Sequence, residues 1–249
     1  MNIDCFEDWW NLKGEEAEAP NTKEGDTDAW SYVTIIQAPN KKTIFLKRQQ
    51  NFYPNNLLQR WRKELTFERE YENYLKVKEA GIPTYDLIYF SSRKHDDKRQ
   101  AIYVAEGLEN FTSLVDLMQT WKKSGWPSRE SRRRLLQRMV ETIRHMHQQG
   151  ILHNALSPRH IFINMTIDKP RTIPDMLEFR LIDFERLKTI DTNSEKAITR
   201  DLFSLHRRCV GWPNNDRIWF LKQYLGISNL DDSAKNIIRS FIKRVNQKS

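Results

Sequence analysis

The stretch "LHNALSPRHIFI", residues 152–163, sets two histidines, His153 and His160, around a short polar loop that runs into an apolar strand. The stretch "RLIDFER", residues 180–186, delivers Asp183 from the end of a second apolar strand. Two such strands can pair as a hairpin and hold two reactive groups together. A carboxylate at Asp183 offers the oxygen that a hard cation such as Mg2+ takes as ligand; the bland alternative is a strand-end turn residue. His160 has three readings. Its imidazole, with an ordinary pKa of about 6.5, can accept a proton; it can be a second metal ligand; or it can be a structural ring bonded to backbone. Asn154 cannot serve as a base, because an amide is not basic, and Ala155 carries no functional group. Upstream, Lys47 ends the apolar run "IFLK", where an ammonium can reach the phosphates of a nucleotide, and Glu70 lies on the next helix, where it can pair with Lys47. Glu68 is the alternative partner. Together these four features match the needs of phosphoryl transfer, which rests on positioned phosphates and charge stabilisation more than on covalent chemistry.

The elements around these residues follow from pattern. Residues 1–29 read as a mobile lead-in, polar and acidic with Gly14, Pro20 and Gly25 and no periodicity beyond residue 11. "WSYVTIIQAP" and "KTIFLKRQQ" alternate and form a hairpin turned at Pro39–Lys41. Residues 56–80 place Leu57, Leu58, Trp61, Leu65, Tyr71, Tyr74 and Leu75 near helical spacing, stopped by Gly81. "IPTYDLIYFSS" and "RQAIYVAEGL" follow as strands. A long amphipathic helix over 128–149 has Leu136, Met139, Val140, Ile143 and Met146 on one stripe, Ser128 as N-cap and Gly150 at its end. After it come the histidine loop, an irregular insertion at 165–177, the strand "EFRLIDF" and three closing helices, the last being "SAKNIIRSFIKRV". Strands first and helices later imply an α+β fold with a β-rich lobe at 30–110 and a mostly helical lobe at 111–249. Ligands favour the cleft in such two-lobed folds.

Composition sets the outer limits. The chain has 249 residues, is 39% hydrophobic, and carries 41 Lys and Arg against 33 Asp and Glu, a formal charge of +8. That balance suits an anionic partner: nucleotide, phosphorylated sugar, acidic lipid surface or nucleic acid. No zinc-finger or RNA-binding signature accompanies the charge, which sets nucleic acid last. Cys5 and Cys209 are too few for a disulfide scaffold. His145, His147, His153 and His160 have no recognised zinc spacing. The run "SRRRLLQR" fits a solvated helix face or a contact with anionic headgroups. The tryptophans fit packing better than a sugar platform. No run spans a membrane and no signal peptide is visible, so the expected location is the cytosol.

Residues from Trp30 onward resemble the bacterial lipopolysaccharide core kinases, the superfamily of heptose and Kdo kinases, most closely its InaA-like branch. The resemblance is carried by "FLKRQ" (45–49), "EREYENYL" (68–75), "GIPTY" (81–85), "VAEGLENFTSL" (104–114), "LHNALSPRHIFI" (152–163), "RLIDFER" (180–186) and "RDLFSLHRR" (200–208). It implies a protein-kinase-like fold, ATP with Mg2+, and a sugar hydroxyl of the lipid-linked core as acceptor, at the inner face of the cytoplasmic membrane. It makes Lys47 the phosphate lysine and Glu70 its partner. It puts His153, Asn154, Ala155 and His160 in the catalytic loop, with Asp183 as metal ligand and His160 as a possible second. Asp201 becomes a brace for the loop, and Glu106 and Leu108 the backbone groups that meet adenine. The departures are that Ala155 stands where base-bearing members have Asp, that Glu185 stands where many kinases have Gly, and that the hairpin from Trp30 has no glycine for a phosphate loop. The alternative is therefore a pseudokinase, a regulatory or scaffold module in envelope biogenesis or stress response.

Overall fold

The computed structural model describes residues 5–23, 25–39, 41–54, 64–190, 194–227 and Phe241. The chain forms two compact units: Met1–Lys76 with Tyr85–Glu109, and Val77–Thr84 with Asn110–Ser249.

The first unit is built on a five-stranded antiparallel sheet. Its strands are β1 (Glu15–Lys23), β2 (Asp26–Gln37), β3 (Thr43–Gln50), β4 (Leu87–His95) and β5 (Lys98–Glu106), in the spatial order β1-β2-β3-β5-β4. Side chains alternate across β3. Ile44, Leu46 and Arg48 point to one face and Phe45 and Lys47 to the other. On the first face, Ile36, Ile44, Leu46, Ile102 and Val104 form a core with Trp9 of a short helix α1 (Phe6–Asn11). Arg48 fastens that helix: its Nη1 donates to the carbonyls of Trp10 (2.7 Å) and Leu12 (3.0 Å), and its guanidinium stacks over Tyr32. The other face is covered by α2 (Thr66–Glu79), which buries Phe67, Glu70, Asn73, Tyr74 and Val77.

Two expectations are corrected here. The stretch read as a lead-in carries α1 and β1. Its lack of periodicity has a physical cause: β1 is an edge strand, exposed along most of its length, and glutamates and Pro20 are what an edge tolerates. It follows that the hairpin from Trp30 is the second one, not the first. The first joins β1 to β2 and has Gly25 in its turn at φ 78°, a conformation that favours glycine. Of the helix read over 56–80, Thr66–Glu79 is observed as α2, and Glu64 and Leu65 are not helical; Leu57, Leu58 and Trp61 lie outside the described residues, and Leu75 is exposed.

The second unit has α3 (Leu114–Ser124), α4 (Arg129–Gln148), α5 (Glu195–Arg208) and α6 (Asn214–Leu225). Ser128 caps α4 through its Oγ, and Leu136, Met139, Val140, Ile143 and Met146 are buried along one face as the pattern requires. The helix α3, capped by Ser113, was not read from the sequence. A small sheet joins β6 (Thr112–Ser113), β8 (Ile161–Ile163) and β9 (Phe179–Leu181), and a second pairs β7 (Ile151–Leu152) with β10 (Lys188–Thr189). The "GIPTY" segment is pinned to β9: Leu181 N–H donates to the Pro83 carbonyl (2.9 Å) and Thr84 Oγ1 to the Leu181 carbonyl (2.7 Å). Residues 165–177 contain no helix or strand, and most of "SAKNIIRSFIKRV" lies outside the described residues. The basic run on α4 is divided among local tasks. Arg132 pairs with buried Asp216 (2.5 Å), Arg134 donates to the Pro174 carbonyl (3.2 Å), and Arg138 pairs with Glu141 (2.5 Å).

Trp9→Ala removes an indole that is 1% exposed. It is expected to cost about 3–5 kcal/mol, the range for truncating a large aromatic in a core, measured by urea unfolding. A change under about 0.5 kcal/mol, normal for a surface site, would return the N-terminal stretch to the role of a lead-in.

Candidate active site

In the first unit Lys47 sits opposite Tyr103 in the β3–β5 register, so both side chains emerge on the α2 face. Lys47 Nζ reaches Glu70 Oε1 at 2.7 Å. Its ammonium also lies over the rings of Tyr103 (5.2 Å) and Phe67 (5.7 Å). The Glu70 side chain is 4% exposed and that of Lys47 26%. Glu68, the alternative partner, is used elsewhere: it accepts from the Leu65 N–H at 2.8 Å and pairs with Arg99, bracing the start of α2. Tyr85 and Tyr103 share a hydrogen bond beside this pair. Burial first, and then the nearby Glu70 charge, hold both phenols well above their usual range, so they stay neutral donors.

At the end of β5, Glu106 N–H donates to the Asp86 carbonyl and Gly107 N–H to the Thr43 carbonyl (2.7 Å). That approach needs glycine, because a Cβ on Gly107 would stand 2.9 Å from the Thr43 Cβ. Among the described residues no acceptor meets the Leu108 N–H, which leaves a backbone donor available. The Glu106 carboxylate pairs with Lys42 at 2.9 Å.

In the second unit the histidine loop and the β9 end come together. His160 Nε2 lies 3.1 Å from Asp183 Oδ2, and His160 Nδ1–H donates to the Ala155 carbonyl at 3.0 Å. With Nδ1 protonated, Nε2 faces a carboxylate either as a second N–H, making an imidazolium, or as a lone pair aimed with Asp183 at a shared cation. Asn154 and Asp183 both have φ near 60°, a region that Asn and Asp enter more readily than most residues.

His153 is fully buried. It stacks on His160 at 5.5 Å with the planes 9° apart, and its Nε2–H donates to the Ile182 carbonyl at 2.9 Å. Burial pushes its pKa down, which keeps the ring neutral. It therefore acts as a post between the loop and the Asp183 segment. Asp201 Oδ2 accepts from the His153 backbone N–H (2.9 Å) and from His147 Nε2–H (3.3 Å), and Tyr224 Oη lies 2.6 Å from His147 Nδ1. The sequence gives His147 no zinc spacing and does not single out Tyr224. The available signal was a histidine on the buried stripe of α4. His145 instead holds the Ala80 carbonyl (2.8 Å). Among the described residues no group of three or more potential ligands could enclose a metal unaided. Asp183 and His160 supply at most two ligands, the number typical where a nucleotide's phosphates complete the shell.

Lys47→Met would strand the Glu70 carboxylate in the interior, and about 3 kcal/mol of stability should be lost, the low end for removing one partner of a buried pair. Glu70→Gln leaves an ammonium that can still reach water, and about 1 kcal/mol should be lost, as for an ordinary polar contact. Denaturant titration of both variants reads the difference. Equal losses would mean that desolvation of Glu70 is not what Lys47 offsets.

The solved structure "WaaP in complex with acyl carrier protein" superposes with a TM-score of 0.67 at 18% identity, covering 98% of this chain and 91% of that one. The BubR1 kinase domain matches with a TM-score of 0.47 at 13% identity, over 80% of this chain and 65% of that one. No curated protein sequence matches the chain significantly. The fold is thus protein-kinase-like, with a β-rich first unit and a helical second one. A model of the lipopolysaccharide kinase (Kdo/WaaP) family matches residues 7–224, and the chain belongs to that family.

Proposed function

We propose that the chain is an ATP-dependent phosphotransferase that acts on a sugar hydroxyl of the lipopolysaccharide core, with Mg2+ held at Asp183. The observation that carries this reading is the His160–Asp183 contact at 3.1 Å. Asp183 would supply the carboxylate oxygen that a hard cation takes as ligand, with His160 Nε2 beside it as a second donor. The Nδ1–H bond to the Ala155 carbonyl fixes the ring so that Nε2 is the atom turned to Asp183. A divalent cation there supplies neutralisation of the phosphate charge. Lys47, held by Glu70, presents an ammonium suited to the nucleotide's α- and β-phosphates. The Leu108 N–H and the Glu106 backbone suit the adenine edge. His160 has one lone pair at Nε2, so it serves either as metal ligand or as proton acceptor for the sugar hydroxyl, not as both at once.

The formal charge of +8 suits an anionic sugar-lipid at the inner face of the cytoplasmic membrane. Among the described residues no helix is long and apolar enough to cross a membrane, and attachment there is proposed as peripheral. Ala155 favours a second reading, a pseudokinase that binds nucleotide without transferring phosphate, because it leaves the loop without a carboxylate base.

Labelled-phosphate transfer from ATP to a core-sugar acceptor separates the two. Wild type should transfer slowly and only with a divalent cation. Asp183→Asn should keep the fold and lose the rise in melting temperature that ATP with Mg2+ produces by linkage. Ala155→Asp should raise transfer by up to roughly 10²-fold, the low end for a general base. ATP binding with no transfer in wild type or Ala155→Asp would establish a nucleotide-regulated pseudokinase, and no nucleotide binding at all would remove the phosphotransferase and leave a scaffold.

A further inference from the structure

Four arginines of the second unit lie on segments that the contacts of the histidine loop join, and they are not used by the site described above. Arg159 lies in the turn Pro158–His160, directly before His160. Arg186 follows Asp183 by three residues, so the His160–Asp183 contact brings the two segments that carry these arginines together. Arg207 and Arg208 occupy the last turn of α5. Asp201 anchors that helix to the loop through the His153 N–H, and Arg208 is seven residues on, about two turns along the same face. Arg159, Arg186 and Arg208 are exposed and Arg207 is half-buried.

A structural purpose for this cluster is hard to find. Basic residues often cap the C-terminus of a helix, but here the end of α5 is already capped by buried Arg217. Its Nη1 donates to the His206 carbonyl (2.6 Å), its Nη2 to the Cys209 carbonyl and its Nε to the Trp212 carbonyl (3.2 Å). Among the described residues none of the four arginines forms an ion pair with a carboxylate; Arg208 reaches only the hydroxyl and carbonyl of Ser204. The four also repel one another. The Arg208 guanidinium is held below its usual range by partial burial and then by the charges of Arg207, Arg186 and Arg159. Like charges gathered without counter-charge destabilise the empty surface and favour an anion that neutralises several of them.

We infer that Arg159, Arg186, Arg207 and Arg208 form an anion site beside the catalytic loop that seats phosphate or carboxylate groups of the acceptor. The inference rests on the phosphotransferase reading for its use and on the cluster for its existence. Guanidinium forks match the planar carboxylate and the phosphate edge bidentately. An acidic group held there orients a neighbouring hydroxyl on the same molecule, and a neutral sugar gains nothing from it. The anion has two possible sources, an acidic group on the sugar itself or a phosphate of the lipid headgroup.

The test uses the full chain and two double variants, Arg159→Gln with Arg186→Gln and Arg207→Gln with Arg208→Gln. Calorimetric titration with glucose 6-phosphate, against glucose as neutral control, reads the soluble source. Co-sedimentation with phosphatidylglycerol vesicles, against phosphatidylcholine, reads the lipid source. Both double variants should weaken anion binding by roughly 10-fold or more, as expected when charge-assisted bonds are lost, with ATP affinity and melting temperature unchanged. Arg208→Lys, which keeps the charge, should retain most of the binding. Loss of glucose 6-phosphate binding supports the site with an acidic sugar, and loss of vesicle binding alone supports it with a lipid phosphate. Wild-type binding to neither probe, or binding that the variants leave intact, overturns it. A drop in ATP affinity in the variants also overturns it, because the cluster would then belong to the nucleotide. A wild type that takes the anions but no ATP would sink the phosphotransferase reading and leave the site standing.

Discussion

Both nitrogens of the His160 ring face oxygen, and a neutral imidazole carries a single proton. That mismatch governs the site. Nδ1 is committed to the Ala155 carbonyl, so the backbone of the residue that lacks a functional side chain still aims the ring. What remains, Nε2 against the Asp183 carboxylate at 3.1 Å, is settled by a second proton or by a cation between the two. Under the proposed function, Asp183 and His160 would hold the cation together, and it would take the place of that second proton.

The loop can hold that ring because a buried network fixes it from behind. Burial pushes the Tyr224 phenol up to about 12, so it donates to His147 Nδ1. His147 then carries its proton on Nε2 and donates to Asp201. Asp201 also accepts from the His153 backbone, and His153, neutral in its apolar surroundings, donates from Nε2 to the Ile182 carbonyl just before Asp183. Each buried ring has one partner that selects its tautomer. The two donors of the buried Asp201 carboxylate, both on Oδ2, come from α4 and from the loop that it must hold, so the same bonds help position His160.

Much of this was legible in the sequence, for reasons that can be named. The α4 stripe and the two apolar strands around the histidine loop follow the periods of helix and strand, and they appear where the pattern puts them. Glu70 was chosen over Glu68 by register, and burial explains why register decides: Glu70 shares the stripe Phe67–Glu70–Tyr74–Val77, whereas Glu68 lies on the half-exposed side that meets Arg99. The first hairpin was missed because an edge strand exposed along most of its length has no alternation to read. Trp9 gave no warning that a six-residue helix would close one face of the sheet. The burial of His153 was not legible, because residue type cannot report depth, and a histidine in a reactive-looking loop reads alike whether it is open or sealed. The arginine cluster was invisible for another reason. Its four members come from three segments brought together by the His160–Asp183 and Asp201 contacts, and no local window contains them all.

The energetics of Ala155 decide how much its presence removes. A general base contributes about 10²–10⁴-fold, which is about 3–5.5 kcal/mol of a barrier at 1.36 kcal/mol per factor of ten. The larger part of phosphoryl-transfer catalysis is electrostatic. In this chain the groups suited to that part remain in place: Asp183 with His160, and Lys47 with Glu70. The Lys47–Glu70 pair is the more telling of the two. Glu70 is almost wholly desolvated, and a buried ion pair is on average no better for stability than apolar side chains of the same volume. Phe67, Tyr103 and Tyr74 already surround this position, so an apolar residue at 47 would fit a packing role with less penalty. A fold that had ceased to handle phosphate gains nothing from an ammonium held between aromatic rings by an almost fully buried carboxylate. The pair makes physical sense if Lys47 must stay charged and aimed for an anion; under the proposed function, Ala155 would then lower the rate without removing the groups that bind nucleotide.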